Sequence, residues 1–255
     1  MRKKILYIIP FLFIFVFLLK ITCLDVKAAT IPIPKIDIKM DGASTPKDYV
    51  NNIQMLIWLT ILTLLPSFII MMTSFTRIIV VFGFLRSAMG TQQSPPNQVL
   101  IGLALFLTVF IMAPVYKQIN QNAIQPYLNN KITQQQAIDT GSKPLRQFML
   151  KQTRTKDLKL FTDSAGIDKN TTNDNMPLYV VVPAFTISEL KTAFQIGFLL
   201  YIPFLVIDLV VASVLMSMGM FMLPPVMVSL PFKLLLFVMV DGWYMIVQSL
   251  IKSFG

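Results

Sequence analysis

The stretch that decides the fold covers residues 186–223 and reads TISELKTAFQIGFLLYIPFLVIDLVVASVLMSMGMFML. Its 38 residues include only three charges, whereas about 20 apolar residues are enough for a helix to cross a bilayer. Pro203 interrupts the stretch and a double proline, Pro224 and Pro225, follows it. Because proline kinks or stops a helix, the pattern predicts one long apolar helix, kinked at Pro203 and ended by the double proline.

The rest of the chain has the composition of a membrane protein. Of its 255 residues, 55% are hydrophobic and 13% are charged, against about 25% charged residues in a typical soluble domain. Three further apolar runs occur at residues 53–72, 99–115 and 230–251. The sequence therefore predicts an all-α, integral membrane-type protein with four hydrophobic helical segments, paired as kinked hairpins.

Changes of composition divide the chain into five regions. Residues 1–28 have the basic start, apolar middle and small residues of a cleavable signal peptide, with an uncleaved membrane anchor as the alternative. Residues 29–52 are rich in proline and predict an extended lead-in. The first hydrophobic hairpin is predicted at residues 53–115 and the second, with a Met-rich loop, at 183–252. Between them, residues 116–182 predict a small polar, helical, extracytoplasmic region.

Helix signals in the polar region support that prediction. Thr133 and Gln136 match a capping box, and Ser142 before Pro144 indicates a second helix start. Residues 145, 148 and 149 are apolar and share one helix face.

Five charged residues lie within or beside the apolar segments: Glu189, Lys191, Asp208, Lys233 and Asp241. Charges inside a membrane are costly, so they usually pair or face a polar path. The loop between the last two segments brings Asp208 towards Lys233, which predicts an ion pair, while Lys233 and Asp241 fall on one helix face. The alternative for Lys191 and Lys233 is that they extend to the membrane surface. A secondary transporter that uses Asp208 and Glu189 is an alternative function.

Two arginines, Arg77 and Arg86, follow the first apolar run with no acidic residue near them. If the signal is cleaved, the mature chain begins outside, and the positive-inside rule places both arginines at the cytoplasmic face. We expect all seven of these charges to make contacts between helices or between subunits.

Several classes of function are disfavoured by what the sequence lacks. It has no histidine and one cysteine, and no phosphate-binding glycine loop, metal-ligand cluster or nucleophile–base pair is recognisable. We therefore predict that the protein is not an enzyme and carries no cofactor or metal. No base-reading groups are recognisable beside the basic residues within 146–159, so a solvated helix face is favoured over nucleic-acid binding.

Four stretches resemble one family, in order and at its spacing. They are TSFTRIIVVFGFLRSAMGTQQSPPNQVLIGLALFLTVFIMAPV (73–115), PLRQFMLKQTRTKDLKLF (144–161), PAFTISELKTAFQIGF (183–198) and PFKLLLFVMVDGW (231–243). The chain resembles the FliP family, whose members belong to the export gate of the flagellar type III secretion apparatus. The resemblance runs from about residue 53 to the C-terminus.

The resemblance implies a function, a place and partners. Family members form a homopentamer that joins FliQ and FliR in a helical ring, and they act with FlhB and FlhA. The assembly lies in the inner membrane at the flagellar basal body, partly displaced towards the periplasm. It passes unfolded flagellar subunits outward, driven mainly by the proton-motive force. Because virulence injectisomes carry a homologous subunit, an injectisome export gate is the alternative.

The resemblance also implies a role for the Met-rich loop, as a gasket that closes the central channel. The residues alone favour core packing for these methionines, so this role comes from the resemblance. This chain departs from the family pattern in having phenylalanine at the middle position of the motif. The residues implied are Met220, Phe221 and Met222 as the gasket, with Gly219 as the hinge and Pro224 and Pro225 as the stop.

Overall fold

A computed structural model gives the fold of residues 46–91, 94–167, 172 and 175–255. The predicted signal peptide, residues 1–28, and the predicted lead-in as far as residue 45 lie outside the described residues. The chain divides into two compact units, Met1–Met55 and Leu56–Gly255. Of the first unit, the structure describes only residues 46–55, the start of one helix. The packing between helices is that of the second unit.

Three helices occupy the chain between residues 46 and 119. They are α1 (Pro46–Met71), α2 (Phe75–Met89) and α3 (Asn97–Ile119). The prediction of an extended lead-in is wrong for residues 46–52, because α1 already begins at Pro46. Proline suits the first turn of a helix, where its missing N–H would have had no partner.

The polar region is also helical where it is described. A π-helical turn, Asn120–Ile124, and the short α4, Gln125–Leu128, continue α3, and α5 (Gln134–Gln152) and α6 (Thr155–Ser164) follow. The predicted capping box starts α5: the Gln136 N–H donates to Thr133 Oγ1 at 3.3 Å, and the Thr133 N–H donates to Gln136 Oε1 at 2.9 Å.

The helix start predicted near Pro144 is wrong, because Pro144 lies inside α5. Before this proline, Gly141 lies against Ala123 of the π-helical turn and Ile119 of α3, and after it Phe148 and Met149 pack with α7. Tertiary contacts therefore outweigh the one main-chain hydrogen bond that the proline removes.

The last three helices are α7 (Leu178–Ser217), α8 (Pro225–Met239) and α9 (Gly242–Lys252). By length and composition, Asn52–Met71, Asn97–Leu128 and α7 could each cross a membrane, and α8 with α9, bent by 62°, could form a fourth span. The prediction of an all-α, membrane-type protein with four hydrophobic segments is confirmed.

The centre of the packing is α2. Its residues Ile78, Val81 and Phe82 are completely buried, and the helix packs against α7 and α3. Each such side chain contributes on the order of 1.5–3 kcal/mol when removed from water. With 15 residues, α2 is only about 22 Å long, so hydropathy alone does not identify it as a major element.

A second buried cluster joins the polar region to the beginning of α7. Met149 of α5 packs with Val181 and Phe185 of α7, and Leu145 and Phe148 pack against them. The helix face predicted at residues 145, 148 and 149 is therefore the face that holds α5 on α7.

The outer surface of the helices is apolar. None of the span Asn52–Met71 is buried, and large side chains on other helices, such as Phe106, Phe198, Leu209 and Val238, are exposed. A soluble monomer rarely exposes an apolar patch larger than a few hundred Å². Lipid or other subunits must therefore cover this surface.

Candidate functional site: the methionine loop and the interior ion pairs

The loop between α7 and α8, residues 218–224, is called here the methionine loop. The helix ends in a Schellman motif: the Met220 N–H donates to Leu215 O, and the Gly219 N–H donates to Met216 O, each at 3.0 Å. Gly219 has a φ of +76°, a conformation that glycine adopts without strain. The turn expected at Gly219 is therefore present, and α7 ends six residues earlier than the apolar run.

The double proline restrains the backbone at the C-terminal end of the loop. Pro224 is extended and precedes α8, and Pro225 is the first residue of α8. With the ring fixing φ at both residues, the loop returns to helix over a short distance. Its base is therefore restrained at both ends.

The side chains between these ends project outward. Met222 is 98% exposed and Phe221 is 78% exposed, while Met220 is also exposed. Exposed apolar groups on a restrained base are unfavourable in water, which indicates that something covers them in the working protein. Core packing, which the residues alone favour, does not occur for these three side chains in the protomer.

An ion pair joins α7 to α8 between one residue that precedes the loop and one that follows it. Lys233 Nζ lies 2.6 Å from Asp208 Oδ2, and the Ser229 hydroxyl donates to Asp208 Oδ1 at 2.5 Å. Lys233 also donates to the Ala88 carbonyl at 3.2 Å, in the last turn of α2, where a cation is favoured by the helix dipole. The structure thus brings together the two residues that the sequence pairs, and it adds α2 to the contact.

A second ion pair is completely enclosed. Arg77 of α2 donates to Glu189 of α7 through Nε at 2.8 Å and through Nη2 at 2.5 Å, and their side chains are 2% and 0% exposed. Arg77 therefore joins two helices in the interior of the protein. The guanidinium lies inside the protein because a bidentate carboxylate compensates for the loss of water.

Arg77 makes further contacts with three residues of the described chain. It donates to the carbonyl and the hydroxyl of Ser253, both at 2.9 Å, and to Gln152 Oε1 at 3.0 Å. Its guanidinium carbon also lies 3.8 Å from the centre of the Phe254 ring. One side chain therefore connects α2 with α5, with α7 and with the residues after α9.

Ser188, next to Glu189 on α7, forms hydrogen bonds with two residues of the polar region. Its hydroxyl accepts from the Arg154 N–H at 3.0 Å and donates to Asp157 Oδ2 at 2.6 Å. Burial alone would raise the pKa of the Asp157 carboxyl, but the hydrogen bonds from Ser188 and Arg154 and the charge of Arg154 keep that pKa below its usual value. The ionised form of Asp157 is therefore the stable one at neutral pH.

The remaining predicted charges are not paired in this way. Lys191 and Asp241 are exposed and make no ion pair within the described residues, and Arg86 donates to the Asn97 side chain. The prediction that Lys233 and Asp241 share a helix face is wrong, because α8 ends at Met239. Asp241 occupies the bend with a φ of +50°.

The sequence did not identify the further residues that contact the two ion pairs. Ser229, Ser253, Gln152 and Phe254 carry no local signal of their role. For Ser188 and Glu189 there was a signal, since they are adjacent in the stretch SELKTAFQIGF. Gly197 in the same stretch lies so close to α2 that a Cβ there would be 2.5 Å from Phe84 Cγ.

Within the described residues, no group of three or more histidine, cysteine, aspartate or glutamate side chains could hold a metal ion. A restrained apolar loop, two interior ion pairs and an apolar exterior together define a helical membrane protein.

Comparison with known proteins gives the family. The model of the FliP family matches residues 58–250. The chain is 56% identical over 217 residues to the flagellar biosynthetic protein FliP of Bacillus subtilis (strain 168), covering 85% of this chain and 98% of that protein. It is 55% identical over 203 residues to the FliP of Pectobacterium carotovorum subsp. carotovorum, covering 80% and 79%. The FliP of Aquifex aeolicus (strain VF5) is 50% identical over 224 residues, covering 87% and 92%. The chain belongs to the FliP family.

Proposed function

We propose that the protein is a pore-forming subunit of the flagellar type III protein export gate. In this role it passes unfolded flagellar subunits across the inner membrane, at the flagellar basal body. The observation that carries the proposal is the methionine loop, which presents Met220, Phe221 and Met222 outward from a restrained base. Membership of the FliP family, with relatives named as flagellar biosynthetic proteins, supports the flagellar rather than the injectisome assignment.

The chemistry of the loop suits a seal that must yield. Methionine has three rotatable bonds and a polarisable sulfur, so it adapts to irregular shapes. Loops from several subunits meeting on an axis would close against each other, or around a passing chain, without a fixed pocket. An apolar constriction also excludes water and with it ions. Phe221 adds a larger and stiffer group that fills more of the opening.

One protomer cannot surround a channel, so the proposal requires assembly. The exposed apolar surfaces of α1, α3, α7 and α8 are the surfaces that neighbours would cover. We propose a homopentamer that binds FliQ and FliR and works with FlhB and FlhA. The native mass of the protein purified in mild detergent tests this. A mass near five protomers is expected, whereas a monomer even with FliQ and FliR present would contradict it.

The seal is tested by replacing Met220, Phe221 and Met222 together with alanine. Ion conductance through the assembled gate should rise, because three large apolar groups per subunit are removed from the constriction. The turn itself should persist, since its hydrogen bonds are between main-chain atoms. Conductance equal to that of the wild type in a fully assembled gate would refute the gasket.

A control removes as many apolar groups from outside the loop. Met227, Val238 and Met239 of α8 are 71–75% exposed, so their triple replacement with alanine deletes a similar area. The control gate should keep a low conductance. An equal leak in both variants would mean that loss of apolar surface loosens the assembly as a whole.

The alternative of a secondary transporter that uses Asp208 and Glu189 has no observation in its favour. Both carboxylates already accept hydrogen bonds from a basic partner at 2.8 Å or less. Neither is available to a substrate unless its ion pair opens.

A further inference from the structure

Two opposite charges lie on the apolar exterior of the helices without a counter-charge in the described part of the chain. Lys191 lies inside α7, about three and a half turns from its nearer end. Asp241 lies at the bend between α8 and α9. Both side chains are exposed, and neither forms an ion pair with a described residue. Because ionisable groups inside a membrane usually pair with one another, each of them requires a partner.

Lys191 points away from the core of the protomer. Glu189, two residues earlier, is completely buried against Arg77 of α2. Two residues correspond to about 200° of rotation around a helix, so Lys191 lies on the side of α7 that faces away from α2. Ile187 and Phe198, which share that side, are also exposed. The lysine is therefore set in an apolar face that only lipid or another subunit can cover.

Asp241 cannot reach the membrane surface with its own side chain. It occupies the bend of the pair α8 and α9, which together could form one span, and a single methylene separates its carboxylate from the backbone. Lysine and arginine, in contrast, extend long stems to the surface. A cation must therefore come to Asp241 from elsewhere in the assembly.

One lysine is suited to be that cation. In the described part of the four spans, Asp241 is the exposed acid, and the exposed lysines are Lys117, Lys191 and Lys252. Lys117 lies where α3 passes into the polar region, and Lys252 is in the last turn of α9, so both reach polar surroundings at a helix end. Lys191 remains as the exposed lysine well inside an apolar helix.

Lys191 and Asp241 lie at similar levels along α2. Lys191 follows, by two residues, the carboxylate that binds Arg77. Asp241 precedes, by two residues, Trp243, whose ring meets the Phe82 ring edge-on with centroids 6.1 Å apart. Arg77 and Phe82 are five residues apart on α2, which is about 7.5 Å. A second copy beside the first therefore needs only a small shift along α2 to bring its Asp241 to Lys191.

We propose that Lys191 of each protomer forms an ion pair with Asp241 of the next copy of the same chain. The inference rests on the assembly proposed above and adds to it the contact that sets the register between neighbours. Two different surfaces meet in this contact, and head-to-tail contacts of this kind generate closed rings. A misplaced neighbour would leave two charges without compensation in an apolar interface, which disfavours other registers.

Cross-linking tests the contact. In a Cys23→Ser background, the chain with Lys191→Cys and Asp241→Cys is assembled with FliQ and FliR and treated with a bismaleimide whose spacer is about as long as a lysine side chain. A covalent ladder up to the size of the assembly is expected on a denaturing gel. Each single cysteine variant is the control and should give no ladder, because it lacks the second attachment point.

Removal of the charges tests the pairing. Asp241→Asn removes the charge but keeps a residue that tolerates the φ of +50°, and Lys191→Gln removes the partner. Each should raise the protein concentration needed for half-assembly by about tenfold or more, as expected for loss of a charge-assisted contact. The double variant should be no worse than the worse single, because it leaves no unpaired charge. The matched control is Lys252→Gln, which should assemble like the wild type.

The outcomes separate the contact from the assembly on which it rests. A wild type that assembles while the double cysteine chain gives no ladder would overturn the contact and leave the assembly standing. Normal assembly of Asp241→Asn would also overturn it, because the aspartate would then serve only the backbone conformation of the bend. So would a double variant in which the two single effects add. A wild type that stays monomeric with FliQ and FliR would overturn both proposals.

Discussion

Removal of either partner of the Arg77–Glu189 pair should destabilise the protein severely. Both side chains are almost fully buried, so Arg77→Met or Glu189→Leu leaves an uncompensated charge in the interior. The expected cost is about 3–5 kcal/mol for each single variant. A domain of this size shifts its Tm by about 2–4 °C per kcal/mol. Each variant should therefore melt on the order of 10 °C lower than the wild type.

The double variant Arg77→Met/Glu189→Leu should be less destabilised than the two single effects added together. It removes both charges, but Gln152 Oε1 and the Ser253 carbonyl still lose the donor that Arg77 supplied. Two unsatisfied acceptors cost about 1–3 kcal/mol each. The singles sum to about 8 kcal/mol and the double variant costs about 4 kcal/mol at the middle of these ranges, so the expected coupling is about 4 kcal/mol.

The assay is thermal unfolding of the four proteins in one mild detergent, followed by circular dichroism. The control is Arg86→Met on the same helix, because Arg86 is only partly buried and contacts a neutral side chain. Its Tm should change little. Single variants that melt within about 2 °C of the wild type, or a double variant equal to the sum of the singles, would refute the reasoning.

Three further results are expected. Gly219→Ala should cost about 1 kcal/mol, because a Cβ is strained at φ +76°, and should raise the leak of the assembled gate; an unchanged Tm and leak would contradict the role of the turn. Lys233→Glu should prevent assembly, and adding Asp208→Lys should partly restore the native mass; a double variant that assembles no better than Lys233→Glu would reject the pairing as the cause. The lowered pKa of Asp157 stabilises the fold above the unfolded pKa of about 3.9 and is lost as pH falls through the folded pKa. The wild-type Tm should therefore fall more steeply than that of Asp157→Asn when the pH drops below about 4, and parallel curves would contradict this.

The sequence predicts features that depend on neighbouring residues. Apolar segments are recognisable because length and hydropathy are local, and the capping box of Thr133 and Gln136 spans four positions. Asp208 and Lys233 are 25 residues apart, but one short loop joins their helices, so their approach follows from connectivity.

Features that depend on distant contacts could not be predicted. Arg77 and Glu189 are 112 residues apart, and hydropathy gives no reason to place the short α2 at the centre of the packing. For the same reason the sequence did not identify Glu189 as the partner of Arg77. The end of α7 at Ser217 was missed because the following residues stay apolar, and only Gly219 marks the stop.

In the gasket proposed above, the turn that carries the methionine loop fixes where the closure lies, and the side chains of the loop fix what it is made of. Main-chain hydrogen bonds and the φ of Gly219 determine where the loop lies, and none of them depends on which side chains follow. Substitutions at residues 220–222 should therefore alter the softness or width of the proposed barrier while its location stays fixed. A designer could exchange these three side chains for larger, smaller or light-sensitive ones and retune what passes, provided that the glycine before them is kept.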